Sequence, residues 1–294
     1  MRLSLVRKEL KRSGFRGLLA IAMRRAADHV EQTGSHQLSA HKVLSRYISF
    51  EGKDVLEVGG LQSCESAYPF LKDGAASVVV TGLNHIPEDD TNRDRNLRML
   101  RVDALSLSSV FEPSSFDVVY GLSMVEHISS PKAFLEEVYK VLRPGGVAYF
   151  QGGPLWSSSV GHHLWVASWV GKYQHKATAN YLFSEWPNTK STNPLPDWSH
   201  LLMTQEQMRA YLAAESLPGV DIECIIDWVY HADNVNRLNL YEIAEAYTTS
   251  KLIVLEANTL RSEVPHDVQL ALRKNCGDCI DYGIRGISYV LAKQ

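Results

Sequence analysis

From residue 51 onward, short apolar runs closed by glycine or an acid alternate with helix-length stretches, and this alternation constrains the fold more than anything else in the chain. Asp54-Val55-Leu56-Glu57-Val58 ends in Gly59-Gly60 and leads into a helix predicted to close near Lys72 at Asp73-Gly74. The β-branched run Ser77–Gly82, then Arg98–Val102, Phe116–Tyr120 and Val147–Gln151, read as four further strands. Runs this continuously apolar are buried on both faces. Strands that alternate with helices pair in parallel, because each crossover brings the chain back in the same direction. Pro131 opens a helix where its missing N–H costs nothing. Phe134, Val138, Val141 and Leu142 form its core stripe, and Arg143-Pro144-Gly145-Gly146 is expected to stop it. Thr204–Ser216 reads as a helix, with Thr204 and Gln207 at capping-box spacing. Val220–Val229 and Gly286–Ala292 read as the last two strands, which makes seven in a mostly parallel α/β sheet with helices on both faces.

Residues 1–50 are predicted to be a helical extension to a main domain over 51–294. Eight basic residues lie between Arg2 and Arg25, and Leu3, Val6 and Leu10 share one helical face. Such a helix either packs on the domain or makes weak contact with an anionic membrane surface. A second helix is expected from Gln37 to Ile48, with Ser35 as N-cap and Leu38, Leu44, Tyr47 and Ile48 turned inward. The main domain is interrupted by an aromatic-rich insert at 152–203 and a second insert at 231–283, where Tyr241–Ala246 is the best helical patch. Loops this long in a compact domain usually serve as lids or binding loops.

A formal net charge of −3 supplies no field that would draw the chain to nucleic acid. Arg24 and Arg25 interrupt the apolar stretch Leu18–Met23, which therefore lacks the pattern of a cleaved leader. No run reaches the roughly 20 apolar residues a membrane span needs, and the expected location is the cytoplasm. Cys64, Cys224, Cys276 and Cys279 are too sparse for a disulfide framework, and Cys276-Gly-Asp-Cys279 supplies half a structural zinc site, so no metal is expected.

In open α/β sheets ligands bind outside the carboxyl ends of the strands, where the strand order reverses. The strand ends here carry Glu57-Val58-Gly59-Gly60-Leu61-Gln62-Ser63, then Asn84, then Asp103-Ala104, then Ser123-Met124-Val125-Glu126-His127. Phe116-Asp117-Val118-Val119, Leu122 through Glu126-His127, and Leu142-Arg143-Pro144-Gly145-Gly146 resemble the signature of class I S-adenosylmethionine-dependent methyltransferases of the small-molecule type. The resemblance covers about residues 50–151 well and the last two strands weakly. It implies the Rossmann-like methyltransferase fold and S-adenosylmethionine as cofactor. It implies Glu57 near the methionine ammonium, the Gly59 backbone and Gly60 beside it, Asn84 at the ribose, Asp103 and Ala104 at adenine, and Ser123 and Met124 lining the pocket. Leu61 and Ser63 replace later glycines of the first motif, and Asn84 stands where the family has an acid. S-adenosylmethionine carries no phosphate and tolerates those changes better than a dinucleotide, whose pyrophosphate must approach a helix N-terminus closely.

Residues 152–200 hold Trp156, Trp165, Trp169, Trp186 and Trp198, together with His162, His163, His175 and His200. A hydroxyl nucleophile must lose a proton, and histidine is the natural base near neutral pH. His162 or His163 is the expected general base, with His200 (beside Asp197) and His127 as further candidates, and the tryptophans suit a flat or ring-shaped small molecule or glycan. The expected activity is O-methylation. Two other readings remain open: a module that keeps the fold without binding the cofactor, and an NAD-linked oxidoreductase. The oligomeric state is not legible.

Overall fold

The computed structural model describes residues 39–60, 64–83, 89–94, 96–164, 195–214, 219–233 and 235–294. The expected amino-terminal helix and the Ser35 cap of the second helix lie outside these residues, as do Leu61–Ser63, Asn84, Trp165, Trp169, His175 and Trp186.

The described elements in chain order are α1 (Ser39–Leu44), β1 (Asp54–Val58), α2 (Tyr68–Lys72), β2 (Ser77–Gly82), β3 (Asp89–Asp94), β4 (Leu97–Arg101), β5 (Phe116–Gly121), α3 (Pro131–Val141) and β6 (Leu142–Gly152). They continue with α4 (Ser199–Leu202), α5 (Gln205–Ala214), α6 (Gly219–Tyr230), α7 (Leu240–Thr248), β7 (Ile253–Arg261), α8 (His266–Cys276) and β8 (Ile284–Ala292). Short 3-10 turns at Ala104–Ser109 and Val125–His127 follow β4 and β5. The strands form one sheet in the order β3-β4-β2-β1-β5-β6-β8-β7. β4, β2, β1, β5 and β6 run parallel, and β8 is antiparallel to β6. Seven of these strands form a mostly parallel sheet of the kind the resemblance implies; β3 adds an antiparallel edge beside β4 that the sequence pattern does not announce.

The β-branched runs dictate the middle of the sheet. Val55, Val78, Val80 and Val118 are buried and pack with Phe70 and Tyr120. At the amino ends of the strands, Arg143 bonds Asp54 at 2.9 Å, the Asp54 N–H donates to Asp117 at 3.0 Å, and Lys53 reaches Asp117 at 3.3 Å. The Asp117 and Arg143 of the recognised signature thus clasp the edge of the sheet opposite its carboxyl rim. Around Leu142–Gly146 the chain already pairs with β5, with a register shift between Phe116 and Val118. The strand expected to begin at Val147 therefore starts at Leu142.

Several expectations need correction. Val220–Val229 is helical, within α6. Ile222, Ile225, Ile226 and Val229 recur at helical spacing and bury together with Met208 and Leu212 of α5, so a helical stripe mimics a β-branched strand in the sequence. The strand that fills this place in the sheet is β7, from the stretch assigned to the second insert; its edge position and partly exposed residues conceal it. The third strand is Leu97–Arg101, one residue earlier than expected. Tyr47 is exposed rather than inward and donates to Glu256, whereas Leu44 is fully buried. Thr204 and Gln207 do form the reciprocal capping box, at 2.8 and 3.3 Å.

The described residues divide into two compact units. One holds the sheet: the chain through Gly153 with Tyr241–Arg261 and Gly286–Gln294. The other comprises Pro154–Leu240 and Ser262–Arg285. The aromatic insert thus continues through α6, and the stretch from Tyr241 to Arg261 belongs with the sheet. No helix among the described residues is long and apolar enough to cross a membrane.

Candidate active site

Strand order reverses between β1 and β5, and the ends of β1, β2, β4 and β5 leave Gly59, Leu83, Asp103 and Ser123 exposed along one rim. Beneath it lies Glu57, 3% exposed. Ser66 donates to both carboxylate oxygens at 2.6 and 2.7 Å, and Tyr120, opposite Glu57 in the β1–β5 register, donates at 2.8 Å. Burial pushes the Glu57 carboxyl above its usual range, and the two hydroxyl bonds only partly offset that. Burial, reinforced by the neighbouring carboxylate, holds the Tyr120 phenol well above 10, so it remains a neutral donor. Its ring stacks on Phe70 at 4.8 Å.

Gly59 adopts φ +75°, a left-handed conformation that costs glycine least. Gly60 is required for a different reason: a Cβ there would lie 2.3 Å from Val80 Cγ1 and 3.0 Å from Glu57 Cδ. Its small size makes room for the strand-end side chains, whereas the sequence suggested room for a ligand. The Gly60 N–H donates to the Thr81 carbonyl, and Thr81 Oγ1 donates to the Glu57 carbonyl at 2.9 Å, which ties the ends of β1 and β2 together. Met124 is buried against Gly59 and Gly121, while Ser123 beside it is exposed at φ +50°.

Asp103 caps the 3-10 turn, with Oδ1 accepting from the Leu105 N–H at 2.9 Å. Its second oxygen and the Ala104 N–H, which has no intrahelical acceptor at the first position of the turn, face the requirements of an adenine amino group and ring nitrogen. Glu57 fits a cationic group equally well. A carboxylate has about four acceptor positions, and two hydroxyl protons fill half of them, with no countercharge among the described residues. On these residues the rim suits an adenosyl amino acid.

The second unit holds three of the predicted histidines, all buried: His162, His163 and His200 at 1%, 4% and 5% exposure. The His162 and His200 rings lie 5.2 Å apart, and His200 meets Trp156 edge-on at 4.7 Å. Their hydrogen bonds fix the tautomers. His162 Nδ1 accepts from the Leu164 N–H at 3.0 Å, so Nε2 carries the proton. His163 Nδ1 faces the Gly161 carbonyl at 2.9 Å and must be the protonated nitrogen, which leaves Nε2 as the acceptor. His200 Nε2 donates to the Trp156 carbonyl at 2.8 Å and leaves Nδ1 as the acceptor. Burial drives His162 well below 6.5, and the two neighbouring imidazoles add to the effect. Burial drives His200 down to about 4 despite its bond to Trp156. Trp228, which lies beyond the aromatic-rich stretch, clamps the cluster by donating to the His162 and His163 carbonyls at 2.9 and 3.1 Å. His127, in the sheet unit, is exposed beside Glu126, with 3.9 Å between His127 Nε2 and Glu126 Oε1. Sequence reasoning found Glu57 and the histidines; it had no signal for Ser66 or Tyr120 as Glu57 donors, nor for Trp228.

Residues 63–150 match a family described as a methyltransferase domain. A ubiquinone biosynthesis O-methyltransferase of Idiomarina loihiensis is 36% identical over 69 residues, 22% of this chain and 28% of that protein. One from Pseudomonas entomophila is 30% identical over 111 residues, 35% of this chain and 45% of that protein. The chain therefore matches between about a quarter and half of the length of these relatives. Among solved structures, an S-adenosylmethionine-dependent methyltransferase from Mesorhizobium loti aligns with TM-score 0.48 at 13% identity over 88% of this chain and 98% of that one.

Proposed function

Because residues 63–150 carry a methyltransferase domain, we propose that this chain is an S-adenosylmethionine-dependent methyltransferase acting on a hydroxyl of a small molecule or glycan. The observation that carries the reading is the buried Glu57 at the sheet's reversal point, which accepts from the Ser66 and Tyr120 hydroxyls and has no countercharge among the described residues. Glu57 would hold the methionine ammonium beside the Gly59 backbone. Asp103 and the Ala104 N–H would hold adenine, with Asn84 at the ribose and Ser123 and Met124 along the pocket. The bound cofactor supplies a methyl group already activated on a sulfonium, so the protein's main task is to align the nucleophile and take its proton.

His163 is the histidine we assign to that proton. Its Nδ1–H is anchored on the Gly161 carbonyl, which leaves Nε2 as the accepting nitrogen. His162 is less suited, because its acceptor nitrogen already takes the Leu164 N–H. The names of the two relatives, both O-methyltransferases, support oxygen as the accepting atom.

Calorimetry with S-adenosylhomocysteine tests the cofactor assignment. Saturable binding is expected, weakened about tenfold or more in Glu57→Gln, which removes a charge-assisted bond. Absence of binding at millimolar ligand would refute the enzyme and leave a module with this fold. A methyl-donor assay against pooled metabolites tests the base: His163→Ala should slow transfer by about 10²–10⁴, and a near wild-type rate would reject it.

A further inference from the structure

Within the second unit, Ser157 Oγ, His162 Nε2, Ser199 Oγ and His200 Nδ1 are all buried polar atoms with no partner among the described residues. The rings of His162, His200 and Trp156 adjoin, Ser157 follows Trp156 in the chain, and Ser199 precedes His200. A buried polar group left without a partner destabilises the fold, because its lost hydration is not replaced. The unpartnered ring nitrogens of the adjoining His162 and His200 mark a place able to receive a hydrogen-bonding group.

The tautomers say which groups. His162 Nε2 is a donor, because Nδ1 takes the Leu164 N–H. His200 Nδ1 is an acceptor, because Nε2 gives its proton to the Trp156 carbonyl. A hydroxyl accepts and donates at one atom and so satisfies both, with the two serines able to do either. A carboxylate would set its lone pairs against His200 Nδ1, and an ammonium would set its protons against His162 Nε2–H. A metal ion needs a lone pair from each ring, and the Leu164 N–H denies it one at His162. Trp156, half-buried and met edge-on by His200, sets an aromatic ring beside the cluster, with the Arg237 guanidinium 5.2 Å from its centroid. We infer that Ser157, His162, Ser199 and His200 form a subsite for the neutral hydroxyl of a phenol-type ligand. This deepens the reading above by naming the substrate class; it rests on that reading for calling the ligand a substrate, while the site itself stands without it.

Long-range ¹H–¹⁵N imidazole spectra of the full chain test the inference, with phenol, benzoate and benzylammonium as probes. His162 and His200 should both appear as neutral Nε2–H tautomers at pH 7. Phenol should shift His200 Nδ1 saturably, with a midpoint about tenfold or more below those of benzoate and benzylammonium. His162→Phe, which removes the donor and keeps His200 as the reporter, should abolish the response; should that variant not fold, Ser199→Ala must weaken it. Equal response to all three probes, no shift up to the solubility of phenol, or an Nδ1–H tautomer at His162 would overturn the site. S-adenosylhomocysteine calorimetry on the same sample separates the two readings. Cofactor binding without a phenol response sinks only this inference, and a phenol response without cofactor binding sinks only the methyltransferase.

Discussion

Replacing Tyr120 with phenylalanine isolates one bond. The ring is fully buried and stacked on Phe70, and phenylalanine keeps that packing. What disappears is the hydroxyl that donates to Glu57 at 2.8 Å. Glu57 is 3% exposed, so water does not replace the lost donor. A hydrogen bond to an ionised group contributes about 1.5–3 kcal/mol, against about 1 kcal/mol for a neutral pair. The expected cost is therefore about 2 kcal/mol where Glu57 is ionised and about 1 kcal/mol where it is protonated. The pH dependence has a definite sign. Burial raises the folded-state pKa of Glu57 above its unfolded value, so the native state holds more protons between the two values. Stability then falls as pH climbs through that window. Removing a donor that favours the charged form pushes the folded pKa higher and extends the fall. Urea unfolding of wild type, Tyr120→Phe, Glu57→Gln and the double variant at pH 5 and pH 8 should show the Tyr120→Phe cost growing with pH. The cycle should give a coupling of about 1 kcal/mol at pH 8. A cost that is larger at pH 5, or that is unchanged in the Glu57→Gln background, would refute the account of hydroxyl bonds that favour the charged form of Glu57 against its burial.

Gly60→Ala would place a methyl 2.3 Å from Val80 Cγ1 and should cost about 1–3 kcal/mol in urea unfolding by overpacking the end of β1. Ile225, fully buried in α6, should lose about 2–4 kcal/mol on change to alanine, measured as unfolding of the second unit. Asp117 is held below its usual range: burial opposes ionisation, but the Asp54 N–H, Arg143 and Lys53 outweigh it. Its contribution is therefore present above the ordinary carboxylate pKa and lost as pH falls through the depressed value. Arg143 is about a third exposed, so Arg143→Ala should cost only about 1 kcal/mol at pH 7, less in high salt and less again in acid.

The sheet was legible because its central strands are buried on both faces, which leaves unbroken valine runs such as Ser77–Gly82 that have no other good use. Legibility failed where burial is one-sided or the period is ambiguous. Ile222, Ile225, Ile226 and Val229 serve a helix with residues that also favour strands, and β7 shows its alternation only weakly at the edge of the sheet. The rim was legible by position, since strand ends in such sheets carry ligands. The donors to Glu57 were not, because Ser66 lies on the turn into α2 and Tyr120 on a neighbouring strand; only the β1–β5 register brings the phenol to the carboxylate. The histidines were visible as a cluster, but which nitrogen carries each proton depends on backbone partners such as Leu164 and Trp156 that no pattern of residue types encodes.

Burial acts on both units in the same way and with opposite chemical results. It raises the pKa of an acid and lowers that of a base, so Glu57 titrates above the ordinary carboxylate range, while His200 at about 4 and His162 well below 6.5 stay neutral through the physiological range. The acid-side pH dependence of cofactor affinity should then come from Glu57 and from neither of those imidazoles. Because a cationic ligand needs the carboxylate ionised, affinity for S-adenosylhomocysteine should weaken as pH drops through the raised Glu57 value, and a bound ammonium should itself pull that value down. Glu57→Gln should flatten the acid limb at a lower overall affinity, and His200→Phe should leave the limb where it is. If the limb instead persists in Glu57→Gln, the group that meets the cation is not the carboxylate beneath the rim, and the assignment of the strand ends to an adenosyl amino acid fails with it.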